Sequence, residues 1–97
     1  MFFVKIHRKL GRGVIAICDE DLLGKKLEDG DLFFDVNKDF YEGEKITEEQ
    51  VKELLIQVDN FNLIGKEIIS IALEIGVIEK ENIIKIKGVP HAQGIAT

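Results

Sequence analysis

Apolar and polar positions alternate from the start of the chain. Phe2, Val4 and Ile6 interleave with Phe3, Lys5 and His7, the period of two expected of a half-buried strand. Arg8 to Gly13 reads as a turn containing two glycines, the residues freest to adopt positive φ. Val14-Ile15-Ala16-Ile17-Cys18 is apolar throughout, which predicts a more central strand buried on both faces and completes an N-terminal hairpin. Asp19 to Gly24 follow as a short helical turn, capped by Asp19, favoured by acids at its N-terminal end and closed by Gly24. Residues 27–31 form another turn, and Leu32-Phe33-Phe34-Asp35-Val36 forms a third strand. Residues 37–46 mix polarities and read as an excursion pinned by Phe40 and Tyr41.

The period then changes. Thr47-Glu48-Glu49-Gln50 is a capping box, in which the threonine hydroxyl accepts the Gln50 N–H and the Gln50 side chain returns to Thr47. Val51, Leu54, Leu55 and Val58 lie at i, i+3, i+4 and i+7 behind it, one apolar stripe over two turns. Asp59 to Asn62 interrupt, and either asparagine suits the cap of a second helix running to about Ile75. On that helix Ile64, Ile68, Ile71, Ala72 and Ile75 share one face with Ile69 and Leu73 beside it, a width that requires more than one buried neighbour or an interface. Gly76 ends it as a left-handed cap followed by the apolar Val77. After a polar turn over residues 79–82, Ile84 and Ile86 alternate with Lys85 and Lys87 in a strand with one wet face. These elements predict an α+β fold, a single domain over residues 1–97. It is built on a mixed sheet of four to five strands (N-terminal hairpin, third strand, C-terminal strand) with a two-helix layer on one face.

Charge modifies this picture more than composition does. Net charge is −5, but residues 1–17 carry +4 with no acid, residues 18–50 carry −8 and residues 51–97 carry −1. Bases therefore gather near the two ends, in Lys5 and Arg8 and again in Lys85 and Lys87, an asymmetry able to steer an anionic partner. The single cysteine excludes an internal disulfide and fits a reducing compartment. No apolar run approaches the ~18 residues needed to span a bilayer, and no basic-then-apolar leader precedes the first strand. The expected setting is the cytoplasm, without membrane contact.

No phosphate-loop, dinucleotide or zinc spacing occurs, so the sequence points to no metal and no cofactor. Asp19-Glu20-Asp21 lacks the glycine and terminal glutamate of a calcium loop. Cys18 ends an apolar strand beside three acids, which raises a thiol's pKa, so it reads as a small buried hydrophobe. His7 reads as an edge-strand histidine. The polar run Pro90-His91-Ala92-Gln93 holds the only proline, which fixes the backbone and presents His91 and Gln93 to one side of an extended segment. There imidazole and carboxamide either bind a ligand or satisfy buried backbone groups of a final strand.

Several of these segments together resemble one family. They are Phe3-Val4-Lys5-Ile6-His7-Arg8, Cys18 through Lys25, Phe40-Tyr41 with Gly43-Glu44, Asn62 through Lys66, and most specifically Gly88-Val89-Pro90-His91-Ala92-Gln93. The chain resembles the archaeal family known as domain of unknown function 424. The resemblance implies an archaeal cytoplasmic protein of small α+β fold and carries no catalytic assignment.

Two functions of different class follow as expectations. The first is a non-catalytic binding module that contacts RNA or a ribonucleoprotein through one basic face. Lys5, Arg8, Lys85 and Lys87 compose that face if the first and last strands are neighbours, with Pro90, His91 and Gln93 at its edge. The second is a small enzyme or small-molecule-binding protein, with His91 as acid or base, Gln93 and Asn62 orienting the ligand, and Asp19 or Lys25 supplying charge. A pocket in so small a fold leaves room for a homo-oligomer that shares it.

Overall fold

The computed structural model describes residues 1–9 and 12–94. The turn expected over residues 8–13 is narrower, since Arg8 pairs with Gly13 and Lys9 with Arg12 in the hairpin. Residues 10–11, the tail over residues 95–97 and the side chains of Lys9 and Arg12 lie outside the described residues. The elements run β1 (Phe2–Lys9), β2 (Arg12–Asp19), β3 (Lys26–Asp29), β4 (Leu32–Asp35), α1 (Lys38–Tyr41) and β5 (Glu44–Ile46). They continue with α2 (Glu48–Leu55), β6 (Phe61–Ile64), α3 (Lys66–Glu74), β7 (Ile83–Ile86) and β8 (Val89–Gly94).

Six strands form one mixed sheet in the order β5-β1-β2-β6-β8-β7, one or two more than the pattern predicts. Every pairing is antiparallel except β2 with β6, where Ile15 to Cys18 run beside Phe61 to Ile64. The continuous apolar run of β2 has the physical cause expected of it, since both faces of the sheet are covered at that strand. Ile15 and Ile17 point to one layer with Val51, Leu55, Ile68 and Ala72 of α2 and α3. Ala16 and Cys18 point to the other, against Leu27, Val36 and Tyr41.

That second layer differs from expectation. Residues 32–35 form a strand, but β4 pairs only with β3 in a separate two-stranded sheet laid across the main one. The short α1 lies beside it, capped by Asn37, whose Oδ1 accepts the Asp39 N–H at 2.6 Å.

Helix α2 begins at the Thr47–Gln50 capping box as predicted. The second helix begins later than its apolar spacing indicates. Phe61 to Ile64 form β6, and α3 starts only at Lys66. Ile64 falls in helical phase with Ile68, yet it lies between β2 and β8 with its backbone in the sheet. Gly65 makes the turn between them with φ +130, a region that side-chain-bearing residues essentially avoid. At the far end Gly76 takes φ +78 and the Val77 N–H donates to Ala72 O at 3.1 Å, the left-handed cap the sequence predicts. No helix among the described residues is long and apolar enough to cross a membrane.

Candidate functional site

The hairpin side of the sheet carries a continuous chain of rings. His7 stacks on Phe40 with centroids 4.4 Å apart and planes 18° from parallel. Phe40 meets Tyr41 edge-on at 5.0 Å, Tyr41 lies 6.3 Å from Phe34, and Phe34 lies 4.6 Å from His91. Strand β1 fixes α1 in this row by two side-chain bonds. Lys5 Nζ donates to the Asp39 carbonyl at 2.7 Å, and His7 Nε2 donates to the Phe40 carbonyl, also at 2.7 Å. His7 is therefore no bare edge-strand residue, since it helps to build a wall.

A cleft of about 450 Å³ opens beside these rings, lined by Phe34, Phe40 and Tyr41 and by the polar groups of Asp35, Asn37, Asp39 and Asn62. The Tyr41 hydroxyl donates to Asn62 Oδ1. Burial raises the Tyr41 pKa, so the phenol stays protonated and the bond is kept. With its oxygen held, Asn62 is left with its amide N–H groups to offer. Gln93, its cross-strand partner, is exposed at the same level. The Tyr41 ring is buried, but the partly exposed Phe34 and Phe40, interleaved with carboxylates and carboxamides, can pack on a flat ligand and bond its edge.

The residues expected to carry chemistry are mostly engaged elsewhere. Pro90-His91-Ala92-Gln93 is not a presented turn but the middle of β8. His91 is 5% exposed, and its Nδ1–H donates to the Leu63 carbonyl at 2.7 Å. Burial lowers its pKa, only partly opposed by that bond. The Pro90 carbonyl accepts the Gly65 N–H at 2.9 Å.

Asp19 does not cap the turn that follows it (Glu20–Leu22), where no side-chain cap bond forms. It reaches instead across the end of β6 and caps α3. Its two oxygens accept the Glu67 and Ile68 N–H groups at 3.0 and 2.9 Å. Burial raises its pKa while those bonds lower it, and burial dominates. The carboxylate thus occupies the slot in which a helix N-terminus beyond a parallel strand would otherwise receive an anion. Cys18, fully buried, has its pKa pushed up to about 12 by burial and by neighbouring Asp19, as its acidic setting predicts.

Lys25 is exposed, and its backbone joins the turn at Gly24 to Val36. Asp19, Lys25, Asn62 and His91 therefore do not converge on one cleft. Only Asn62, with Gln93 beside it, belongs to the cavity described above.

The single basic face does not form either. Lys5 and Arg8 lie on β1, Lys85 and Lys87 at the end of β7, with β2, β6 and β8 between them. Lys5 bonds to α1 on one face of the sheet, whereas Lys85 lines a groove beside α3 on the other. Lys87 and Gly88 make the β7–β8 turn with φ +53 and +78, and the Lys87 N–H donates to Asp29 Oδ2 at 3.0 Å.

Phe34, Asp35, Asn37 and Asp39 escaped the sequence reading as site residues, and Phe40 and Tyr41 entered it only as pins. The available signal was the cap Asn37-Lys38-Asp39 set between aromatic residues in an otherwise polar excursion. Among the described residues, no three of His, Cys, Asp and Glu gather as ligands for a metal ion.

A family model described as "Protein of unknown function (DUF424)" matches residues 7–96. Among solved structures the chain is similar to the crystal structure of an uncharacterized conserved protein from Methanopyrus kandleri. Identity is 26%, covering 95% of this chain and 88% of that one, with a TM-score of 0.76. No curated protein matches.

Proposed function

The chain belongs to the family described as "Protein of unknown function (DUF424)", a description without an activity, and from that premise we propose a non-catalytic binding module that reads unpaired RNA bases in the aromatic cleft. The observation that carries this reading is the Tyr41–Asn62 bond, which holds a carboxamide at a fixed angle among three rings. Unpaired bases are recognised by stacking on rings and by hydrogen bonds to their edges. Stacking contributes roughly 1–3 kcal/mol per base. Asp35 and Asp39 accept from amino and imino groups and repel phosphate, which orients a nucleotide base-inward. Lys5, on the face of β1 that carries α1, supplies a cation for a backbone passing outside. The setting that goes with this function is the cytoplasm of an archaeon, where the free, buried Cys18 stays reduced.

Fluorescence anisotropy with short single-stranded RNAs of differing base composition, at several salt concentrations, tests this. Binding is expected to weaken with salt and to depend on base. Lys5→Gln lowers affinity for all sequences and flattens the salt dependence. Asp35→Asn reduces base discrimination and leaves the salt slope unchanged. Absence of binding at low ionic strength, or affinity indifferent to salt, rules the function out.

A second reading is favoured by the cleft's size, since about 450 Å³ lies within the range of small-molecule sites. A free nucleoside or similar flat, amine-bearing metabolite then fills it alone. A melting temperature raised by nucleosides but not by RNA oligomers selects this alternative.

A further inference from the structure

The apolar face of α3 is buried at Ile68, Ile69, Ile71 and Ala72, but Leu73 at its margin stays partly exposed. A groove of about 350 Å³ runs between α3 and the β7–β8 edge, its floor made by Ile69, Leu73 and Ile83 and its rim by Lys66 and Lys85. Two cations and no acid border it. On the opposite face of the sheet, the β3–β4 hairpin presents the complementary surface. Phe33 is 57% exposed and Leu32 48%, and no other phenylalanine among the described residues is exposed. Glu28 lies directly across the ladder from Phe33, on the hairpin side turned away from the buried Leu27–Phe34 pair. Asp31 stands at the turn beside them, and the one base of the hairpin, Lys26, lies across the ladder from Asp35.

We infer that the groove receives the outer face of the β3–β4 hairpin from a second copy of this chain, so that the protein self-associates head to tail. The apolar contact is Phe33 against the partly exposed Leu73 and Ile83, and the charged contacts are Glu28 and Asp31 with Lys66 and Lys85. A chain cannot satisfy itself, because α3 covers one face of its sheet and the hairpin the other. Donor and acceptor surfaces differ, so the contact is heterologous and leaves one free hairpin and one free groove on every open assembly. Opposite charge selects this pairing over hairpin with hairpin or groove with groove, both of which juxtapose like charges. None of this depends on the RNA cleft, which uses other residues.

Light scattering during size-exclusion chromatography, over a hundredfold range of protein concentration, reads the outcome. The mass is expected to rise above the 11.0 kDa of one chain with concentration and to fall back in high salt. Phe33→Ser and the double variant Lys66→Glu/Lys85→Glu change exposed side chains, so each keeps the wild-type melting temperature and each alone stays at one chain. Mixed at equal concentration they form a particle of two chains and no larger, because only one productive pairing survives. A wild type that remains at one chain throughout overturns the inference, as do variants that associate like the wild type. A monomeric wild type whose groove captures a free acidic, aromatic peptide also overturns it, and assigns the groove to a different protein.

Discussion

His91 follows the only proline of the chain and looks, from its neighbours, like a group held out for use. Its position inside the sheet gives it a different consequence, a pH dependence of stability. The ring's ordinary value of 6.5 is lowered by burial. Between that lowered value and 6.5 the unfolded chain binds a proton that the native chain does not, so stability falls as pH drops through 6.5. Asp19 acts with the opposite sign, because its carboxyl is raised above 3.8 and the native state takes up the proton first. Acidification just above 3.8 therefore adds stability at that residue. Urea midpoints measured from pH 8 to pH 5 are expected to decline in the wild type and to decline less in His91→Gln. Equal slopes would mean that other groups govern the titration.

At the scale of elements, the junction between β6 and α3 is the tightest piece of construction. Gly65 has φ +130, and a Cβ there would run into the Asp19 carboxylate that caps α3. Gly65→Ala is expected to cost on the order of 3 kcal/mol or more, from backbone strain plus a displaced cap, read as a lowered urea midpoint. A loss under about 0.5 kcal/mol, the ordinary range of a surface change, would show that the loop relaxes freely.

This junction also marks where the sequence was hardest to read. The capping box at Thr47, the buried strand Val14–Cys18 and the cap at Gly76 were legible because each is a local pattern with a local cause. Strand β6 was not, since Phe61, Leu63 and Ile64 are buried on both faces and leave no clean alternation, and Ile64 lies in phase with the helix behind it. The candidate cleft was hidden for a related reason. Its rings come from β4 and α1 and its amide from β6, and only tertiary packing brings Tyr41 to Asn62. Likewise Lys5 and Lys85 looked like one face until the strand order set them on opposite sides.

Across the whole molecule, one sheet divides two cores, and β2 and β6 supply side chains to both. Neither layer can loosen without disturbing strands that the other needs. Tyr41, the only tyrosine in a chain without tryptophan, reports on the hairpin side, while helical circular dichroism reports on α2 and α3. Leu55→Ala, in the helical core, is expected to cost about 2–5 kcal/mol. The two signals should nevertheless fall at a common, lowered urea midpoint. Separate midpoints would mean two independent layers.

The parallel β2–β6 contact also governs how the chain reaches this state. Hairpin β1–β2 joins neighbours in sequence and forms quickly, but β6 meets β2 only after everything from the Glu20–Leu22 turn to α2 has been gathered into the intervening loop. On a ribosome, the apolar rows of β2 must therefore wait, uncovered, until residues beyond 64 have emerged. The slowest and most aggregation-exposed moment in the life of this protein is set by one short pairing at its centre.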